Sequence, residues 1–361
     1  MTAKDLPRHH VVVLVLLTVF ALARGGYWAM AFETWSPVDE AQHFGYVESL
    51  ATGDGIPTVG RDHLSNHVMV IAKASPTYFA RSRPFLARAS DNNWGPAREQ
   101  YEGIHGPTYY ALMVPAYWLG GALSPLGALY AVRLASVLLG AAAIPLAWAL
   151  ARRLLPDRPL AWLLGPGLLV CVNGYMATAA TVSNDTLVIT GTVAALLLTT
   201  RALASPRWLP AAIAGAVAGA VFVGKTTALG LFPLMALLAI VQHRNGLAST
   251  EGWLRRLVAA GTGAAIITLP WIAWNLVTYQ AISGAAAVEA ITGSLQTVLE
   301  PSLHALHRHW EGARVTFWEA GLLTGDASYR RAWDLLAAGV GALGLVAALR
   351  RWRRPEVLTV G

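Results

Sequence analysis

Residues 35–46 read Trp-Ser-Pro-Val-Asp-Glu-Ala-Gln-His-Phe-Gly-Tyr. Asp39 and Glu40 are adjacent carboxylates, and His43 and Tyr46 follow at helical spacing. A carboxylate beside an imidazole and a phenol is equipment for catalysis, as in general acid–base chemistry. Ser36 predicts a helix N-cap, Pro37 the first helical position, and Asp39 the third residue after the cap. On that helix Asp39, His43 and Tyr46 share one face, and Val38, Ala41, Phe44 or Gly45, and Val47 or Leu50 form the other. An acid there also complements the positive end of the helix dipole. That accounts for one carboxylate, not for a pair with His and Tyr on its face.

Further candidates are more scattered. Asn184 and Asp185 precede an apolar run, where they suit either a helix N-cap or a polar group facing a cavity at membrane depth. Lys225, in Gly224-Lys225-Thr226-Thr227, lacks the upstream glycine and the strand context of a nucleotide-binding loop. A lone lysine between two apolar runs suits an anionic partner or snorkelling to lipid phosphate. His43, His63, His67, His105, His304, His307 and His309 fall in the predicted external loops. The run His304-x-x-His307-x-His309 is read as structural or as part of an interface, since no nearby acid completes a metal set. Trp271, Trp274, Asn275 and Tyr279 suit an aromatic belt, and Asn275 is also a candidate for binding substrate.

Hydrophobic residues make up 55% of the 361 and charged residues only 13%, and several runs reach the roughly 20 apolar residues that span a bilayer. Predicted spans are 11–31, 126–151, 160–181, 185–204, 208–224, 226–242, 254–277 and 333–350. The expected fold is therefore an all-α polytopic membrane protein of about eight transmembrane helices, or nine if 107–123 crosses. Arginines collect at alternate junctions: Arg152, Arg153 and Arg158; Arg201 and Arg207; Arg244, Arg255 and Arg256; and Arg350, Arg351, Arg353 and Arg354. Cytoplasmic ends collect Lys and Arg, so both termini are expected inside, and Asp39, Asp185 and Lys225 outside. A crossing at 107–123 would invert this pattern. That segment is read as juxtamembrane or re-entrant, with Tyr109, Tyr110, Tyr117 and Trp118 at the interface.

The chain is expected to be one transmembrane domain over 1–361, with external loops at 32–125, carrying juxtamembrane helices, and at 280–332. The N-terminal run shows no convincing cleavage site and is read as an uncleaved first span. The net charge of +7 reflects the inside bias and implies no nucleic acid. The single cysteine, Cys171, excludes an intramolecular disulfide and a cysteine-based zinc site, and is read as a small core residue. Gly215 and Gly219 have the spacing of closely packed helices.

An external Asp39-Glu40 directly after an uncleaved first span resembles the GT-C superfamily of membrane glycosyltransferases, whose members include protein O-mannosyltransferases and aminoarabinose transferases. The segment His105-Gly106-Pro107-Thr108-Tyr109-Tyr110 is similar to their His-Pro-Pro-Leu-Tyr-Tyr motif. Arg133, Asn184-Asp185 and Lys225-Thr226 follow in the family's order, so that the likeness runs from about 11 to 280. Gly106 replaces the first proline, and the chain has fewer spans than most members.

The resemblance implies inverting transfer of a sugar from a polyprenyl-phosphate donor to a hydroxyl of a glycan, lipid or protein, at the extracytoplasmic face of the inner membrane. It implies Asp39 as general base, with Glu40, His43 or Asp185 orienting the acceptor or shaping the field. His43, Tyr46, His105, Tyr109, Asn184, Lys225 and Asn275 are expected to bind substrate. Lys225, or else Arg61 or another loop arginine, would meet the leaving phosphate. The cofactor is unknown, and a divalent metal ion could share that task. Two other classes compete. A flippase would carry ionisable groups near the midplane of several spans, whereas Arg133 is nearly alone there, and a scaffold needs no acidic pocket.

Overall fold

The computed structural model describes residues 8–32, 34–35, 39–68, 71, 99–244 and 252–292. All belong to one compact unit, Met1–Glu300. The predicted span 333–350 and His304, His307 and His309 lie outside the described residues.

Among the described residues twelve α-helices follow one another: α1 (Arg8–Ala31), α2 (Glu40–Thr52), α3 (Thr108–Gly121), α4 (Pro125–Ala141), α5 (Ala143–Leu154), α6 (Leu164–Cys171), α7 (Asn173–Ala179), α8 (Asp185–Leu203), α9 (Leu209–Gly224), α10 (Leu231–Arg244), α11 (Trp253–Tyr279) and α12 (Ala285–Thr292). Among the described residues five stretches are long and apolar enough to cross a membrane: His9–Ala31, Pro125–Leu154, Asp185–Leu203, Thr226–Arg244 and Trp253–Tyr279. A bent pair makes a sixth if its two helices form one span, and Leu209–Gly224 is a shorter apolar helix. The spans expose large apolar side chains, among them Leu16, Phe20, Leu138, Leu237 and Ile266, as lipid-facing surfaces do. The chain is thus an all-α integral membrane protein.

The segment expected to cross at 160–181 is not one straight helix. Pro159–Cys171 and Asn173–Ala179 meet at 67°, with Val172 extended between them. Arg24 of α1 fills the break: its guanidinium donates to the Val170 carbonyl at 2.9 Å and to the Asn173 side-chain oxygen. A carbonyl freed from the helix ladder at membrane depth needs such a donor. Arg24 is therefore a second charged group inside the spans, beside Arg133. Cys171, at the end of α6, is exposed rather than in the core.

Small residues set the tightest packing. A Cβ on Gly215 or Gly263 would strike the backbone of Ala260 or Ala212, and one on Gly219 would lie 2.9 Å from the Ala264 carbonyl oxygen. Helices α9 and α11 therefore meet backbone to backbone, as the small-residue spacing predicts.

Stacked α4 and α5 run over 30 residues, about 45 Å, longer than a hydrocarbon core of about 30 Å. The α4 end of this rod packs with α2 and α3 around one apolar cluster that includes Phe44, Val47, Met113 and Leu129. Tyr109 and Tyr110 are wholly buried in that cluster, not placed at a lipid interface as expected, whereas Trp118 is exposed.

Candidate active site

The site begins where α2 begins. Asp39 is its N-cap residue, in the left-handed conformation with φ 78°, and Glu40 is the first helical residue. Asp39 therefore stands before the helix rather than on its face, while Ser36 and Pro37 lie outside the described residues. A non-glycine residue held in this region costs about 1–3 kcal/mol and often marks a functional position. The Asp39 side chain caps no backbone N–H. Its Oδ1 accepts from the Tyr101 hydroxyl instead.

Glu40 turns the other way. Arg133 Nε donates to Oε1 at 2.8 Å and Nη2 to Oε2 at 2.6 Å, and the Val182 amide donates to Oε1 at 3.0 Å. Arg133 also donates to the carbonyls of Ala29 and Phe32, each at 3.0 Å. One wholly buried bidentate pair thus ties the end of α1, the start of α2, α4 and the turn before α8 together. Both Glu40 oxygens are occupied, which separates its work from that of Asp39.

Behind Asp39 lies a buried polar cluster centred on Glu102, in the 3₁₀ turn Tyr101–Ile104. His43 Nδ1 is 3.3 Å from Glu102 Oε2 and 2.8 Å from the Tyr110 hydroxyl. His105 Nε2 is 3.5 Å from the same Glu102 oxygen, and Tyr110 donates to it at 3.3 Å. Tyr46 stacks on Tyr110 with centroids 3.8 Å apart and donates to the His105 carbonyl at 3.1 Å. Burial, and then the charge of Asp39, push the Glu102 carboxyl up to about 8. Burial, and then Lys225, bring His105 down to about 4. His43 lies well below its ordinary value, chiefly through burial. At neutral pH this places the proton on Glu102, between two neutral imidazoles.

Sequence reasoning missed Glu102 and Tyr101. The available signal was the Glu102-x-x-His105 spacing, which puts both side chains on one turn beside the motif already singled out.

The second wall comes from the junctions of α8 and α9. Asn184 occupies the N-cap position of α8 without capping it. Its side-chain amide donates to the Gly224 carbonyl at 3.0 Å, which holds the residue before Lys225. Lys225 Nζ then reaches Asp185 Oδ1 at 2.8 Å, with side chains 22% and 46% exposed respectively. This pair is the accessible part of the constellation. Tyr109 braces the turn, its oxygen accepting from the Ser183 amide at 3.0 Å.

Gly106 joins the walls: its amide donates to the Val223 carbonyl at 2.8 Å, and a Cβ there would press on Val223 and Trp271. A proline at 106 would lose that bond, which accounts for the departure from the Pro-Pro pattern. Trp271 and Asn275 point inward from α11, buried, rather than outward in an aromatic belt. The side-chain oxygens of Asn184 and Asn275 and Nδ1 of His105 are buried and have no partner among the described residues. Among those residues no three His, Cys, Asp or Glu side chains gather to hold a metal ion. Arg61 is not part of this wall: its side chain is 74% exposed and 3.6 Å from Asp62.

Asp39, Glu40, His43, Tyr46, His105, Tyr109, Asn184, Asp185, Lys225 and Asn275 therefore lie at one end of the bundle. Glu102 feels the charges of Asp39, Lys225 and Asp185 together. Arg152, Arg153 and Arg201 line a cavity at the opposite end.

No curated protein matches the chain. Residues 116–274 match the family described as dolichyl-phosphate-mannose-protein mannosyltransferase. The matched stretch carries Arg133, Asn184, Asp185 and Lys225 but stops short of Asp39 and Glu102. With those residues already gathered at one end of an apolar helical bundle, the match supports a membrane glycosyltransferase of the GT-C superfamily.

Proposed function

We propose that this protein is an inverting glycosyltransferase that moves a sugar from a polyprenyl-phosphate donor to an acceptor hydroxyl at the extracytoplasmic membrane face. The observation that carries this reading is the placing of Asp39 and the Lys225–Asp185 pair around one buried acid–imidazole cluster, away from the arginine-rich end. Asp39 takes the proton of the acceptor hydroxyl. The freed oxygen attacks the anomeric carbon from the face opposite the phosphate. As the new C–O bond forms, the bond from the anomeric carbon to the phosphate oxygen breaks, and polyprenyl phosphate leaves with the electron pair.

Lys225 meets the charge that develops on the leaving phosphate, and Asp185 holds the ammonium in place. Glu40 is a positioning residue acting through Arg133. Glu102, with His43, Tyr46 and Tyr110, supports Tyr101 and so the orientation of Asp39. His105, Asn184 and Asn275, with polar atoms open, bind the sugar or the acceptor, because buried polar groups require partners. The donor's prenyl tail lies in the lipid beside the bundle. The acceptor is a glycan, a lipid or a protein.

Incubating the purified protein with a panel of polyprenyl-phosphate sugars, with release of lipid phosphate as the readout, tests this. Release is expected with at least one donor. Asp39→Asn is expected to slow it about 10²–10⁴-fold, the usual worth of a general base, with the melting temperature unchanged. Release at the wild-type rate by Asp39→Asn, or none with any donor, contradicts the proposal.

A further inference from the structure

We propose that the arginine-lined cavity at the far end of the bundle binds a phosphate-bearing anion, a second site distinct from the glycosyl-transfer centre. The cavity, of about 340 Å³, is walled by Arg152 and Arg153 at the end of α5, Arg201 at the end of α8, and Trp162. Trp162 forms a rigid floor: its indole N–H donates to the Leu155 carbonyl at 2.7 Å, and the His10 ring packs edge-on against it at 5.6 Å. Arg152 lies over two indole faces, 4.5 Å from Trp148 and 5.4 Å from Trp162, which fixes its guanidinium in the wall.

Arg153 and Arg201 have no such partner and are exposed. Among the described residues no carboxylate forms an ion pair with any of the three. Asp157, on the loop that follows Arg153, does not bridge to them either. The positive-inside tendency explains basic residues at this level, but not three of them on one concave wall over an aromatic floor. Uncompensated guanidinium forks in such a wall match phosphate oxygens, which each can grip through two N–H donors. Basic pockets between membrane helices at this depth are known to hold phosphate headgroups. An anionic phospholipid headgroup and a soluble phosphate share that chemistry.

The test uses the full chain in nanodiscs. One arm compares native mass spectra from phosphatidylcholine discs with and without phosphatidylglycerol. The other titrates inorganic pyrophosphate calorimetrically. Either retained phosphatidylglycerol or pyrophosphate binding is expected, and the arm that responds identifies the source. Arg153→Gln with Arg201→Gln should weaken that binding about tenfold or more, the scale of losing charged hydrogen bonds. Arg153→Lys with Arg201→Lys should retain part of it. The control pair, Arg207→Gln with Arg255→Gln, removes the same charge outside the cavity and should leave binding unchanged. Equal loss in both glutamine pairs would mean surface charge alone and overturn the proposal. So would the absence of binding by either probe in the wild type.

Discussion

Glu40 and Asp39 are neighbours in sequence with opposite surroundings. Asp39 is held strained beside a phenol, whereas Glu40 is sealed against Arg133. Removing one member of a buried ion pair strands the other, at a cost of about 3–5 kcal/mol. Glu40→Ala should therefore cost about that much in denaturant unfolding, and Glu40→Leu with Arg133→Met should recover most of it. Equal stability of Glu40→Ala and wild type would deny the pair its structural role. Glu102 adds a pH signature. The folded protein keeps the Glu102 proton up to about 8, whereas the unfolded chain loses it near 4.5, so stability falls as pH rises across that window. His105 and His43 stay neutral when folded, while the unfolded chain takes up protons below 6.5, so stability also falls as pH drops below 6.5. The cluster is least costly near pH 6.5. Thermal melts of Glu102→Gln should lose the decline that the wild type shows between pH 6.5 and 8; a parallel decline in both would contradict this assignment. Asp39 and His43 were legible in the sequence because adjacent acids are followed by His and Tyr at helical spacing, and Asp185 and Lys225 because each stands beside an apolar run. Glu102 and Tyr101 were not, because an acid in a loop rich in acids carries no such contrast until folding buries it.

Among the elements, the spans were the most legible, because their apolar length is fixed by the bilayer. The predicted 185–204 and 254–277 are Asp185–Leu203 and Trp253–Tyr279 in the structure. The break at Val172 was not legible, since it depends on Arg24 arriving from α1, a contact 146 residues away in the chain. Nor was the start of α2 at Glu40, after an Asp39 of positive φ; Ser36 and Pro37, the predicted cap and first helical position, lie outside the described residues. Gly106 shows why element junctions matter to the site: it lets the first loop touch the end of α9 within two residues of Lys225. Gly106→Ala puts a methyl group against Val223 and Trp271, and overpacking of this kind costs about 1–3 kcal/mol. It should lower both the melting temperature and turnover. Gly121→Ala, whose nearest neighbour would be 3.9 Å away, should alter neither. Similar effects from the two would remove Gly106 from the account.

For the whole molecule, the separation of charge is the organising fact. Arg152, Arg153 and Arg201 gather at one end, and the Lys225–Asp185 pair and Asp39 at the other. Such a division follows when a chain is inserted with its basic junctions inside, and it was readable from the order of charged residues alone. What the order did not contain was which acids and bases meet, because that depends on the approach of α2, α8 and α9. The proposed transfer requires the acidic end to face away from the cytoplasm, where lipid-linked sugars would meet their acceptors. Impermeant thiol labelling of intact cells tests this most directly, in a Cys171→Ser background carrying either Arg61→Cys near the acidic end or Arg158→Cys near the arginine end. Position 61 should label in intact cells, and position 158 only after permeabilisation. Labelling of position 158 from outside, with position 61 protected, would contradict it.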